Sequence, residues 1–267
     1  TPVTIDGTDY FDGKTIFPED FYRIQAQGTD IKTYHINQYM FRENFEPYAK
    51  AGDEVLYMCF STGIAGTFNA ANLAKEELLE EYPEFDLTII DTKCASLGFG
   101  LAVEKILRMQ ANGAPKDLII EAAQFFCEHM EHIVTVETLE YLYKGGRLSK
   151  TSAVLGGVLD LKPIIEVNDD GALVAIEKVR GRHKSLKRCV ELVGERGVEL
   201  DKQVIGVVHG NDPETCEKVS AMLMEKYHCR GIIKSWVGCA IGAHTGPGII
   251  GIVFLSASEE KYAEYLK

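Results

Sequence analysis

The chain has 267 residues, 46% apolar and 25% charged, which is the composition of a folded globular protein and excludes wholesale disorder. Its 28 basic residues stand against 40 acidic ones, and a net charge of −12 argues against nucleic acid or an anionic membrane surface as the main partner. The longest apolar run, residues 249–255, is too short to span a bilayer, and no apolar leader opens the chain, so neither membrane insertion nor classical secretion is expected.

The length predicts about two domains. Residues 2–5 read as a strand, with Asp-Gly turns at 6–7 and 12–13. Residues 21–35 read as a helix followed by a loop. Residues 54–61 form a buried strand pattern, 66–82 a helix stopped by Pro83, and 87–91 a second buried strand. Helices over 97–110 and 118–130 flank the Asn112-Gly113-Ala114-Pro115 break, and 132–136 reads as a third strand. This alternation predicts parallel βαβ units. In the second half, 163–167 and 172–180 read as a hairpin through Asn168-Asp169-Asp170-Gly171. A helix over 185–195, a strand over 204–208, a helix over 213–227 and strands over 232–237 and 249–255 follow. The expected fold class is therefore α/β in two domains. A parallel α/β domain over residues 1–138 precedes an α+β domain with antiparallel pairs over 139–267, with the junction near 137–150.

The seven cysteines are scattered, odd in number and free of any C-x-x-C pair, which fits a reducing cytoplasm and opposes a disulfide framework. The segment Phe60-Ser61-Thr62-Gly63-Ile64-Ala65-Gly66-Thr67-Phe68 joins an expected strand to an expected helix, where ligands bind in open α/β sheets. Free N–H groups at the helix start and the hydroxyls of Ser61, Thr62 and Thr67 can form an anion site; equally, a Ser or Thr there can serve only as N-cap. Gly242-Ala243-His244-Thr245-Gly246-Pro247-Gly248 sets a histidine in a glycine-rich turn, beside a ligand or bonded to local backbone. The main basic clusters are Lys144-Gly145-Gly146-Arg147 and Lys178-Val179-Arg180-Gly181-Arg182. Their arginines can fork onto an anion or pair with nearby carboxylates.

Other motifs fail on context. Gly13-Lys14-Thr15 is only the tail of a phosphate loop, and the G-x-G-x-x-G at Gly246 to Gly251 leads into a strand instead of a helix. His129 and His132 lack a further nameable ligand, so no metal pattern stands out. A serine-hydrolase triad of Ser61, His244 and Asp91 lacks the G-x-S-x-G elbow.

Read together and in order, a set of segments resembles the DegV family of bacterial fatty-acid-binding proteins. They are Tyr10-Phe11-Asp12-Gly13, Ser61 to Thr67, Asp91-Thr92, Thr138 to Ser149 with its Lys144-Gly145-Gly146-Arg147 core, Leu161-Lys162-Pro163, Lys178 to Gly181, and Gly242 to Gly248. The resemblance implies one long-chain fatty acid buried in a tunnel between the two domains. It implies a carrier that performs no chemistry, needs no cofactor and presents the carboxylate to a fatty acid kinase catalytic subunit, which makes acyl phosphate for phospholipid synthesis. By position, Thr33 matches the hydroxyl of a Thr-Ser loop, and Ala65-Gly66-Thr67 match a Ser-Gly-Thr turn, with Ser61 and Thr62 before it. Arg180 and His244 match residues near the mouth that serve the kinase complex.

The chain departs from that pattern twice. The family reads Thr-Ser-Gln-Pro where this chain reads Thr33-Tyr34-His35-Ile36, and the turn serine is Ala65. Losing one hydroxyl donor to a charged group costs about 1.5–3 kcal/mol unless His35, Tyr34 or Thr62 replaces it. The alternative readings are a binding protein for a different carboxylate, or a weak hydrolase or phosphotransferase using Ser61 and His244. The resemblance begins after the family's usual first strand and helix; either the sequence continues N-terminally or the sheet lacks a strand, and the first is the expectation. Physically, each acyl CH₂ moved out of water contributes ~0.8 kcal/mol, so a sixteen-carbon tail supplies roughly 10 kcal/mol before ordering costs.

Overall fold

The computed structural model describes residues 1–148 and 160–267. Strands β1 (Pro2–Ile5) and β2 (Thr8–Phe11) form a hairpin through Asp6 and Gly7, both at positive φ. Helix α1 (Pro18–Gln25) opens on a proline, with Glu19 and Asp20 in its first turn. The helix expected to run to residue 35 stops here. The Thr29 hydroxyl donates to the Ile24 carbonyl, Gly28 takes φ +77°, and Ile31 and Thr33 leave as β3 (Ile31–Thr33), antiparallel to β1. Helix α2 (Gln38–Ala51) has no counterpart in the sequence expectations. Asn37 caps it by accepting from the Met40 amide, Gly52 ends it at φ +74°, and Phe41, Phe45 and Ala49 form its buried stripe.

Strands β4 (Val55–Cys59) and β5 (Leu87–Asp91) are parallel, joined through helix α3 (Thr67–Glu81). Their side chains alternate in destination. Val55 and Tyr57 pack with α2 and α3, while Leu56 and Met58 pack with α4 (Ser96–Ala111) and α5 (Lys116–Glu128).

The remaining strands build a six-stranded sheet. They are β6 (Met130–Thr135), β7 (Leu161–Val167), β8 (Leu173–Arg180), β9 (Val204–His209), β10 (Gly231–Trp236) and β11 (Ile250–Leu255), in the order β10-β9-β11-β6-β7-β8. The pair β9–β10 is parallel and the others are antiparallel. The expected third parallel strand is thus corrected. β6 lies between β11 and β7 and runs against both, because a continuously buried run reports depth and not the direction of its neighbours. β6 precedes the expected junction at 138/139 and yet belongs to the sheet built by the later residues. Ser149 and Lys150, within the expected junction, lie outside the described residues.

Helices α7 (Arg182–Arg196) and α8 (Pro213–Tyr227) cover one face of this sheet, against Ile205, Val207, Ile250, Ile252 and Phe254. Each such burial contributes roughly 1.5–3 kcal/mol. On the other face Leu97 of α4 lies over Gly206, where a Cβ would come within 2.8 Å of it. Helix α4 therefore packs on both the parallel pair and the large sheet. The short helices α6 (Glu140–Lys144) and α9 (Cys239–Thr245) adjoin each other on that same side. Among the described residues no helix is long and apolar enough to cross a membrane.

Candidate ligand-binding site

The end of β3 and α9 bring two of the expected site residues, Thr33 and His244, into contact, and Ala65, Gly66 and Thr67 lie in the turn entering α3. The expected glycine-rich turn around His244 is instead α9, with His244 in its last turn and Gly246 ending it at φ +73°. Gly242 serves contact more than bending, since a Cβ there would come within 2.6 Å of the Tyr22 hydroxyl.

Helix α9 is held by the N-terminal residues. Asp12 Oδ2 accepts from the Ala240 amide at 2.9 Å, Gln25 Nε2 donates to the Gly242 carbonyl at 3.0 Å, and the Tyr22 hydroxyl donates to the Val237 carbonyl at 3.3 Å. The same N-terminal sheet ends in Thr33. As a result Thr33 Oγ1 and His244 Nε2 are hydrogen-bonded at 2.6 Å. Gly145 closes on the Nδ1 side, where a Cβ would overlap the ring. Burial, and then the charge of Arg147, push the His244 pKa down to about 4. The ring is therefore neutral at neutral pH and offers one donor and one acceptor. Sequence reasoning missed Tyr22, Gln25 and the role of Asp12 as clamps. The one available signal was Asp12 within Tyr10-Phe11-Asp12-Gly13.

The turn after β4 does two separate jobs. Ser61 is fully buried; its hydroxyl donates to the Gly171 carbonyl at 2.7 Å and accepts from the Gly63 amide at 3.3 Å. Lys93 Nζ donates to the Asp169 carbonyl at 2.6 Å. These bonds stitch the β7–β8 turn to the loops after β4 and β5. Gly63 lies so close to the Gly171 backbone that no Cβ fits between them. Thr62 is exposed, and its amide donates to Asp91 Oδ1 at 3.1 Å. Ser61, His244 and Asp91 each have other partners, so the geometry does not assemble a triad from them.

The second job belongs to the start of α3. Gly66 occupies the N-cap and provides no side-chain cap, so Thr67 is the first helical residue and not the cap. The Ala65 amide is taken by the Ser61 carbonyl at 3.1 Å. Among the described residues, the amides of Gly66, Thr67 and Phe68 find no backbone acceptor, and the Thr67 hydroxyl, on a residue only 7% exposed, makes no hydrogen bond. Free amides and the partial positive charge of a 15-residue helix make this end attractive to an anion. His35, two residues past Thr33, faces it: a Cβ on Gly66 would sit 3.9 Å from His35 Nε2.

Arg180 does not join this group in the structure. It is exposed at the end of β8, opposite Leu161 in register. Arg182 Nε pairs with Glu137 at 3.0 Å. All seven cysteines are buried and unpaired. A cavity of about 560 Å³ runs beside β4, lined by Leu56, Phe99, Val103, Ile106 and Ile119 among others; Thr33, Thr67 and His244 are not in its wall.

The fold has known counterparts. A sequence profile described as "Uncharacterised protein, DegV family" matches residues 1–257. A DegV domain-containing protein of Clostridium perfringens is 37% identical over 96% of this chain and 89% of its own length. The chain belongs to the DegV family. Among solved structures, a fatty acid binding DegV family protein from Streptococcus agalactiae is 27% identical, covers 96% of this chain and 90% of its own, and superposes with a TM-score of 0.82. DegV of Bacillus subtilis, described as a fatty acid binding protein, is 27% identical over 94% of this chain and 88% of its own, with a TM-score of 0.81.

Proposed function

We propose that this protein binds one long-chain fatty acid, holds its carboxylate at the start of α3 beside Thr33 and His244, and presents it to a fatty acid kinase without itself catalysing a step. The observation that carries this reading is the 2.6 Å Thr33–His244 bond, with His35, two residues on from Thr33, lying beside the open N-terminus of α3. The two neutral hydrogen-bonding groups of that pair and the free amides at the start of α3 support a carboxylate-binding reading. A single carboxylate needs only a few such donors.

The tail lies between the parallel pair and the large sheet, against partly buried side chains such as Leu97, Tyr143, Leu173 and Ile241. The acyl chain supplies most of the binding free energy there. Arg180, exposed at the sheet edge, faces the kinase. The seven buried, unpaired cysteines support a cytoplasmic setting. The fatty-acid-binding descriptions of the Streptococcus and Bacillus relatives support the ligand class.

The test combines oleate-loaded protein, a purified fatty acid kinase catalytic subunit and ATP, with acyl phosphate trapped by hydroxylamine. Acyl hydroxamate forms only when all three are present. Acyl phosphate made or hydrolysed by the protein alone would instead make it an enzyme.

A further inference from the structure

The Thr33–His244 bond and the start of α3 leave one question of chemistry, which is what side chain meets the carboxylate at Ala65 and Gly66. Ala65 has no polar side-chain atom, and its amide is already bonded to Ser61. Ser61 is fully buried and spends its hydroxyl on the Gly171 carbonyl. Thr62 is exposed and lies against the Asp91 carboxylate, whose charge repels a ligand anion. Tyr34 is 53% exposed and its amide bonds back to the Pro2 carbonyl.

His35 differs from all of these. Its imidazole edge lies against Gly66 at the N-cap of α3, with Nε2 3.9 Å and Cε1 4.0 Å from where a Cβ would stand. Among the described residues it makes no hydrogen bond. His35 follows the last residue of β3, Thr33, by two positions. Thr67, nine-tenths buried with an unpartnered hydroxyl, sits one residue into the helix that His35 faces.

We propose that His35 is a specificity-determining residue, donating to the ligand's ionised carboxylate together with Thr67 and the free α3 amides. The inference rests on the fatty-acid reading above and adds a residue and a selectivity to it. A ring N–H directed at a charged oxygen gains most when that oxygen is a carboxylate and little when it is an ester carbonyl. The site should therefore prefer a free acid over its ester, with His35 carrying much of the preference.

The experiment measures binding of oleate and of methyl oleate, by displacement of a fluorescent fatty acid, to the wild type, His35→Ala and His35→Gln. His35 is exposed, so both variants should fold, and far-ultraviolet circular dichroism checks this. The expected result is about tenfold weaker oleate binding by His35→Ala, unchanged methyl oleate binding, and substantial recovery by the amide donor of His35→Gln. Equal oleate affinity of His35→Ala and wild type overturns the role of His35 while leaving the fatty-acid reading intact. Equal losses for oleate and methyl oleate also overturn it, because they report packing and not charge recognition. Failure of the wild type to bind either ligand overturns the fatty-acid reading itself, and this inference with it.

Discussion

Thr33 Oγ1 and His244 Nε2 lie 2.6 Å apart although 211 residues separate them in the chain. The bond closes a circuit. β1 pairs with β3, the N-terminal segment clamps α9 through Asp12, Tyr22 and Gln25, and α9 returns His244 to the end of β3. The polar cluster is thus fixed by the same contacts that dock the N-terminal sheet.

Thr33→Val should separate binding from folding. Valine keeps the shape and removes the hydroxyl, leaving His244 Nε2 without its partner. Oleate affinity should fall about tenfold or more, while stability to urea falls by only about 1 kcal/mol. Unchanged affinity would place Thr33 outside the ligand site.

Ser61→Ala should do the opposite. It strips a buried hydroxyl from the Gly171 carbonyl and the Gly63 amide, so unfolding free energy should drop by about 1–3 kcal/mol. Oleate affinity of the folded variant should change by less than about threefold, since Ser61 faces the β7–β8 turn. A stable variant that no longer binds would make Ser61 a ligand residue after all.

Gly63→Ala tests the same junction by sterics. A methyl group there overlaps the Gly171 backbone, which cannot rotate away as a side chain can. Limited proteolysis should cut the 168–171 turn faster than in wild type, and stability should fall by roughly 1–3 kcal/mol. Wild-type resistance to cutting would show that the turn is not seated on this loop.

His132 makes stability depend on pH. It is 3% exposed, Nδ1 donates to the Met130 carbonyl at 3.1 Å, and Nε2 accepts from the Ala95 amide at 3.3 Å. Burial pushes its pKa down to about 4, so the folded ring stays neutral where the unfolded one, near 6.5, takes up a proton. The unfolded chain then binds more protons between those values, and stability is full above 6.5 and lost as pH falls toward 4. The loss is of order 3 kcal/mol. His244 contributes with the same sign. Urea titrations from pH 7.5 to 4.5 should show a shallower decline for His132→Gln than for wild type. Parallel declines would contradict this.

Some of this was written plainly in the chain. α8 begins at Pro213 after the Asp212 cap and ends at Tyr227, as its signals indicate. The Asp-Gly hairpin between β7 and β8 formed as expected, and the G-x-G-x-x-G segment led into β11. α2 was hidden by Pro47, although Asn37 and Gly52 mark both of its ends. α9 was hidden because its glycines read as turn, when Gly242 is there to admit Tyr22. The direction of β6 was not legible, since a buried strand's pattern is the same for parallel and antiparallel neighbours. The family resemblance pointed to both Thr33 and His244, which the fold does bring into contact. The bond from Ser61 to Gly171 spans 110 residues and depends on how the hairpin docks, which no local pattern encodes.

The most direct test is mass spectrometry of lipid extracted from protein purified without detergent or added ligand. The expected result is a long-chain free fatty acid at close to one per chain. Protein that carries no lipid, and that stays empty after incubation with oleate, would contradict it.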